Sequence, residues 1–307
     1  MTDTARRNRP RCSIGLPVWN GMNYVEEAIR SVLAQDMGDF ELIISDNAST
    51  DRTAEICERF ALEDDRIVYV RHPRNIGAAK NYNHVFHLAQ GEYFVWLAHD
   101  DVQGPRFLST CLEAFDRADP DTVLVYPAFT YIDDASREIG QDEPRCVETS
   151  AGSPAQRLFD VLEGLGIVSS IFGMFRRERL ARTRLIGSYV ASDYVLLAEC
   201  ALLGKIVRID GPPQFERRLH DEGSQRANKT SEEIARWFDP NARLDLKPSQ
   251  RLSREYLLSI LSVPDLSAGD RIMAVIRLVI HRVLLKRRAR RLRRAGPRRL
   301  AIDRRRA

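Results

Sequence analysis

The stretch GEYFVWLAHDDVQGP, residues 91–105, decides how the chain is read. Gly91 breaks what precedes it. Tyr93-Phe94-Val95-Trp96-Leu97 is then an uninterrupted apolar run of aromatic and branched side chains, the composition of a strand buried on both faces. The run stops abruptly at Ala98, His99, Asp100 and Asp101, ahead of a turn at Gly104-Pro105. The C-terminal end of a buried strand is where open α/β sheets bind ligands. Adjacent carboxylates repel each other unless a cation or hydrogen-bond donors neutralise them. A hard divalent ion shared between carboxylates and substrate phosphates meets that need; a solvated Asp-Asp turn is the plain alternative.

On either side of this stretch, strand and helix patterns alternate. Cys12 to Leu16 predicts a first strand, stopped by Pro17; Glu41 to Ser45 and Ile67 to Val70 predict two more, and Val123 to Tyr126 another beyond 93–97. Between them apolar residues recur at helical spacing. The series are Val25, Ala28, Ile29, Val32, Leu33; then Ile56, Cys57, Phe60, Ala61; then Ala78, Tyr82, Val85, Phe86, Ala89. Asp51 or a neighbouring hydroxyl is the expected N-cap of the second helix. A further helix is expected over 105–118. Such alternation means βαβ units and a mostly parallel sheet flanked by helices. Residues 127–152 read as a loop or inserted hairpin. Phe172–Phe175 reads as a strand, 192–203 as a helix, Ile206–Ile209 as a strand and RRLHDEGSQR (217–226) as a polar loop. Helices over 231–238 and 250–262 wrap the body.

Composition limits the functional classes. The 307 residues are 44% hydrophobic and 29% charged, a globular balance. Five cysteines, an odd number and all distant in sequence, argue against a disulfide framework or a zinc site and for a reducing compartment. The start, MTDTARRNRPR, lacks the apolar region of a signal peptide, and no run of about 18 uncharged apolar residues exists. A cytoplasmic protein is therefore expected. Fifteen of the 47 basic residues but only one of the 43 acidic ones, Asp303, fall in 271–307. That leaves 32 basic against 42 acidic residues elsewhere: an acidic body, net −10, with a tail of +14. In the tail, Ile272, Ile276, Val279, Ile280 and Val283 share one helical face, with Arg277, His281 and Arg282 on the other half. An amphipathic helix followed by KRRARRLRR is suited to the inner face of an anionic membrane; a helix packed on the catalytic body, with the arginines a disordered solvated end, is the plain alternative. No aromatic-studded basic groove of the kind that binds single strands is evident, and no nucleic acid partner is expected.

The predicted strand ends bring together Pro17, Val18, Trp19 and Asn20, then Asp46, then Asp100 and Asp101. The first βα turn has neither GxGxxG nor GxxxxGK[ST], which weighs against a dinucleotide enzyme or a P-loop enzyme. SIGLPVWNGMNYVEEAIRSVLAQDMGDFELIISDNASTDRT, followed by RNIGAAKNYNHVFHLAQGEYFVWLAHDD, resembles the family 2 glycosyltransferases over residues 11–125. The resemblance weakens through FGMFRRERL (172–180), ASDYVLLAECALLGK (191–205) and RRLH (217–220). It implies a GT-A fold and inverting transfer of one sugar from a nucleotide diphosphate sugar to a hydroxyl of a glycan or lipid-linked acceptor. The expected organisation is a GT-A domain over 11–225, a helical extension over 226–270 and the basic tail over 271–307.

Residue by residue, the resemblance places Pro17, Val18, Trp19 and Asn20 beneath the nucleoside, Asp46 on the base or ribose, and Asn75 and Lys80 beside the donor. Asp100 falls on the second Asp of the family's Asp-x-Asp and would hold Mg²⁺ or Mn²⁺, with Asp101 and His220 as the other candidate ligands. The first Asp position is Ala98 here, so His99 either replaces the ribose contact or is structural. Arg218-Leu219-His220 is similar to the family's Arg-x-His, which implies a contact with diphosphate or metal. Ser192-Asp193 occupies the place of the family's catalytic acid, making Asp193 the candidate general base; a helix N-terminal acid favoured by the dipole is its alternative. A non-catalytic nucleotide-sugar- or nucleic-acid-binding protein using the basic tail is the competing class.

Overall fold

A computed structural model describes residues 9–141, 148–149, 152–164, 169–221, 230–241 and 248–295. The first half runs β1 (Cys12–Val18), α1 (Val25–Leu33), β2 (Phe40–Asp46), α2 (Thr53–Glu63), β3 (Ile67–Arg71), α3 (Ala78–Leu88) and β4 (Tyr93–Trp96). β5 (Val102–Gln103), α4 (Phe107–Arg117), β6 (Thr122–Pro127), β7 (Phe129–Ile132) and β8 (Glu138–Gln141) follow. Next come α5 (Pro154–Gly164), β9 (Met174–Arg176), α6 (Arg177–Leu180), α7 (Ser192–Leu203), β10 (Lys205–Ile209) and β11 (Phe215–Arg218). The last described elements are α8 (Ser231–Phe238), α9 (Pro248–Ser262) and α10 (Ala268–Ala295).

The main sheet has seven strands in the order β10-β6-β9-β4-β1-β2-β3. All neighbours are parallel except β9, which inserts antiparallel between β4 and β6. The mostly parallel α/β sheet expected from the alternation is present, and its central strands are buried along their whole length, as a sheet covered on both faces requires. β3, at the edge, is only partly buried. A second sheet, β5-β11-β7-β8, contains the hairpin anticipated within 127–152.

Two expectations fail for identifiable reasons. Pro17 does not stop β1, which runs on to Val18 in register with β2. The Gly15 carbonyl faces β4 and the Val18 carbonyl faces β2, so the missing N–H of Pro17 points toward β4. β4 pairs only as far as Gly15, and no ladder bond is lost. The polar loop expected from residue 217 onward is a strand at its beginning: Arg217 and Arg218 belong to β11, parallel to β7 and antiparallel to β5. Charged residues occupy it because Arg218, although buried, finds an acceptor for each arm of its guanidinium. Residues 222–226 of that segment lie outside the described residues.

The C-terminal helices share a core with the body. Tyr256 and Ile260 of α9, and Ala274 and Leu278 of α10, pack with Leu158 and Leu162 of α5 and with Val195, Ala198 and Leu202 of α7. A polar lock reinforces this. Arg184 donates to Glu199 of α7 (2.6 Å) and to Glu255 of α9 (2.8 Å), and Ser259 donates to the same Glu199 carboxylate (2.8 Å). Glu199 is buried to 1% exposure, so its charge depends on these donors. Arg184→Met is expected to strand that charge and cost about 3–5 kcal/mol. Urea unfolding measures it, and adding Glu199→Gln should recover part of the loss.

Candidate active site

The C-terminal ends of β1, β2 and β4 open onto a cavity of about 750 Å³. Pro17, Val18, Trp19, Asn20, Asn75, His99, Asp100, Asp101 and His220 all line it, so most of the residues singled out in the sequence converge on one site. The turn after β1 is fixed by its neighbours. Asn20, at φ 52°, accepts from the Thr50 N–H (2.9 Å) and donates its own N–H to the Ser49 hydroxyl (2.9 Å). Gly21 follows because a Cβ there would lie 2.5 Å from the His99 ring.

Asp46 and Lys80 do not line the cavity. Lys80 points to solvent. Asp46 is fully buried and its carboxylate is already engaged by the Ser49 N–H (2.8 Å), the Tyr69 hydroxyl (3.0 Å) and Arg71 (3.4 Å). It builds the turn that presents Asn47, whose side chain clasps Asn75 (3.0 Å) and the Ile76 N–H (2.8 Å) at the cavity wall. The sequence reading missed Asn47 because it sits beside a more conspicuous acid. It also missed Arg217, Tyr24 and the α8 side chains Glu233, Arg236 and Trp237, all of which line the cavity. The α8 residues belong to an amphipathic helix, and periodicity alone does not say which neighbour such a helix covers. The docking of α8 needs Gly77: at φ +88° it meets the Phe238 carbonyl so closely that a Cβ would lie 2.5 Å from it.

The two carboxylates of the β4 end have different surroundings. Asp100 accepts from His220 Nε2 at 2.9 Å. Burial works to raise its pKa, but the charge of His99 and the bond to His220 prevail and hold it below the usual carboxylate range. Asp101 is buried, and desolvation together with the neighbouring Asp100 charge pushes its pKa well up. Its Oδ1 accepts the Arg218 backbone N–H at 2.9 Å. The Arg218 side chain donates to the Asp100 carbonyl, the Asp133 carbonyl, Ser136 and Glu27, and stacks on Tyr24 at 4.6 Å. Those contacts are structural. Arg217, pointing the other way along β11, donates among the described residues to the Ser169 hydroxyl (2.9 Å), one of its five N–H groups being used there.

Asp193 stands at the first turn of α7, after Ala191 in the left-handed conformation (φ 62°). It is not part of the cavity lining but lies within electrostatic reach of Arg217. Desolvation raises its pKa, outweighing the Tyr194 N–H that it accepts at 3.1 Å and the Arg217 charge. A carboxylate held mainly by a helix dipole would shift the other way. Among the described residues no three His, Cys, Asp or Glu side chains converge as a complete metal cage. Asp46→Asn should destabilise the fold by about 1–3 kcal/mol through its weakened buried bonds. A drop in melting temperature of the ligand-free protein checks it.

A family model described as glycosyl transferase family 2 matches residues 13–183. A putative colanic acid biosynthesis glycosyl transferase of Escherichia coli K12 is 38% identical over 130 residues, 42% of this chain and 44% of that protein. The chain spans less than half the length of such curated relatives. Among solved structures, Staphylococcus aureus TarS 1–349 in complex with UDP superposes with a TM-score of 0.62 at 16% identity, over 87% of this chain and 70% of that one. A Pyrobaculum calidifontis mannosyltransferase in complex with GDP-Man and Mn²⁺ gives 0.51 at 17% identity, over 90% and 86%. These two likenesses establish the GT-A type of fold.

Proposed function

Because the chain belongs to glycosyl transferase family 2, we propose that it transfers one sugar, with inversion, from a nucleotide diphosphate sugar to a hydroxyl of a glycan or lipid-linked acceptor. The observation that carries this reading is the cavity itself. An ionised Asp100 and the cationic Arg217 line it, and a carboxylate of raised pKa, Asp193, lies within electrostatic reach of Arg217.

Donor binding falls to the β1 and β2 ends. Pro17 to Asn20 and the Asn47–Asn75 clasp supply a partly apolar wall and fixed amide groups for a nucleoside. Arg217 lines the cavity, and its guanidinium suits a diphosphate whose negative charge grows as the sugar–phosphate bond breaks. In the transfer, Asp193 takes the acceptor O–H proton and that oxygen bonds to C1 of the sugar. The C1–O bond breaks, and its electron pair leaves on the nucleoside diphosphate. A base of raised pKa is closer to the hydroxyl in proton affinity.

Asp100, ionised and hydrogen-bonded to an imidazole, fits Mg²⁺ or Mn²⁺, an ion that takes one or two protein ligands and completes its shell with phosphate oxygens and water. His220 is the second candidate ligand. Asp101, committed to the β11 backbone, is a poorer one. Such an ion supplies charge neutralisation for the leaving diphosphate.

Asp193→Asn should lower kcat about 10²–10⁴-fold while calorimetry shows donor affinity unchanged. The melting temperature should not fall, because ionised Asp193 destabilises the fold at neutral pH: its folded pKa lies above its unfolded one. The same sign places the acid limb of kcat above the ordinary carboxylate value of about 4, with activity lost as pH drops through it. A limb left in place in Asp193→Asn counts against the assignment. Asp100→Asn should abolish transfer and weaken Mn²⁺-dependent binding of the nucleoside diphosphate. Full activity in excess chelator would exclude the metal.

A further inference from the structure

The helix α10 is apolar on two opposite sides, and among the described residues only one of them is used by the fold. Ala274, Leu278 and His281 are buried toward the body, with His281 bonded to Glu163 of α5 at 2.7 Å and Arg288 to the same carboxylate at 2.7 Å. His281 is therefore turned inward, not aligned with the solvent-facing arginines as its sequence position suggested. Ile272, Ile276, Val279, Ile280 and Val283 lie on the other side, each between 41% and 62% exposed. At 3.6 residues per turn they fall within an arc of about 100°. Lys286, Arg287 and Arg290, all exposed, continue the same stripe toward the C-terminus.

We propose that this outward stripe of α10 seats the protein on an anionic lipid bilayer, the branched side chains entering the interface and the basic ones meeting the headgroups. Five branched apolar side chains side by side on water call for a partner. The basic continuation says which kind: the stripe carries no acidic residue, so a second copy related by two-fold symmetry would offer its cations nothing. A nucleic acid would satisfy the cations and leave the apolar stripe wet. An anionic bilayer matches both parts. Among the described residues no helix is long and apolar enough to cross a membrane, so the stripe lies in the surface. Docking of α10 on α5 makes the seat rigid and orients the whole body over the lipid. Where the acceptor is lipid-linked, which rests on the reading above, this places enzyme and acceptor in one plane; the binding itself stands apart from that reading.

The test is co-sedimentation of the full chain with phosphatidylglycerol vesicles and with phosphatidylcholine vesicles, at low and high salt. Binding to the anionic vesicles at low salt is expected, falling at least tenfold on neutral vesicles. Ile276→Glu with Val279→Glu should lose at least tenfold, and Ile276→Ser with Val279→Ser an intermediate amount, with melting temperatures unchanged because both side chains are exposed. Lys286→Gln should lose about fivefold, the weight of one basic group at an anionic surface. Failure of the full chain to sediment with anionic vesicles overturns the proposal. So does equal binding by the glutamate pair. Light scattering that shows a dimer split by that pair would assign the stripe to a second copy instead. Displacement from vesicles by a single-stranded oligonucleotide, with the glutamate pair still binding vesicles, would assign it to nucleic acid.

Discussion

Two neighbouring carboxylates at the end of a buried strand set the terms for the rest of the molecule. Asp100 and Asp101 follow four fully buried residues of β4, where unpaired charge is costly. The fold answers with β11. The backbone of Arg218 donates to the Asp101 side chain, its guanidinium donates to the Asp100 carbonyl, and His220 reaches the Asp100 carboxylate. Three contacts from one short segment thus bring the edge of the small sheet to the mouth of the large one. That crossing creates the cavity wall and leaves Asp100 the ionised member of the pair, the one that lines the cavity with a charge to offer.

Strand β11 does this by alternation. Successive side chains of a strand face opposite ways, so Arg218 is spent on Glu27, Asp133, Ser136 and the stacked Tyr24, while Arg217 faces Ser169, Phe172 and the cavity. One arginine is structural and the next is available to a ligand, and the difference is a single step in register. The Asp193 carboxylate lies within reach of the Arg217 charge on that same side.

The parts legible in the sequence are those whose signal is local. Buried parallel strands announce themselves as apolar runs and their helices by period, so β1 to β4 and α1 to α4 were readable, as was the convergence of their ends. Signals that depend on a distant partner were not. Nothing near Arg217 and Arg218 shows that a polar stretch will become a strand, because its acceptors come from α1 and the β7–β8 turn. Asp46 reads as a ligand contact until Tyr69 and Arg71 are seen to occupy it. The antiparallel insertion of β9 between β4 and β6 is a topological choice that composition does not encode.

The C-terminal helices show the same limit from the other side. Periodicity in α10 identified the apolar set Ile272, Ile276, Val279, Ile280 and Val283, and an apolar helical face ordinarily means the face that packs. Here the packing face is the less conspicuous one, built from Ala274, Leu278 and a histidine paired with Glu163. A small residue, one leucine and a histidine hydrogen-bonded to Glu163 suffice because α5 lies alongside for several turns and Arg271 adds bonds to the end of α9. Since that modest face already holds the helix, the stronger apolar face is free for a function outside the fold. Docking through α5 and α7, whose first turn carries Asp193, also ties the orientation of that outer face to the position of the proposed base.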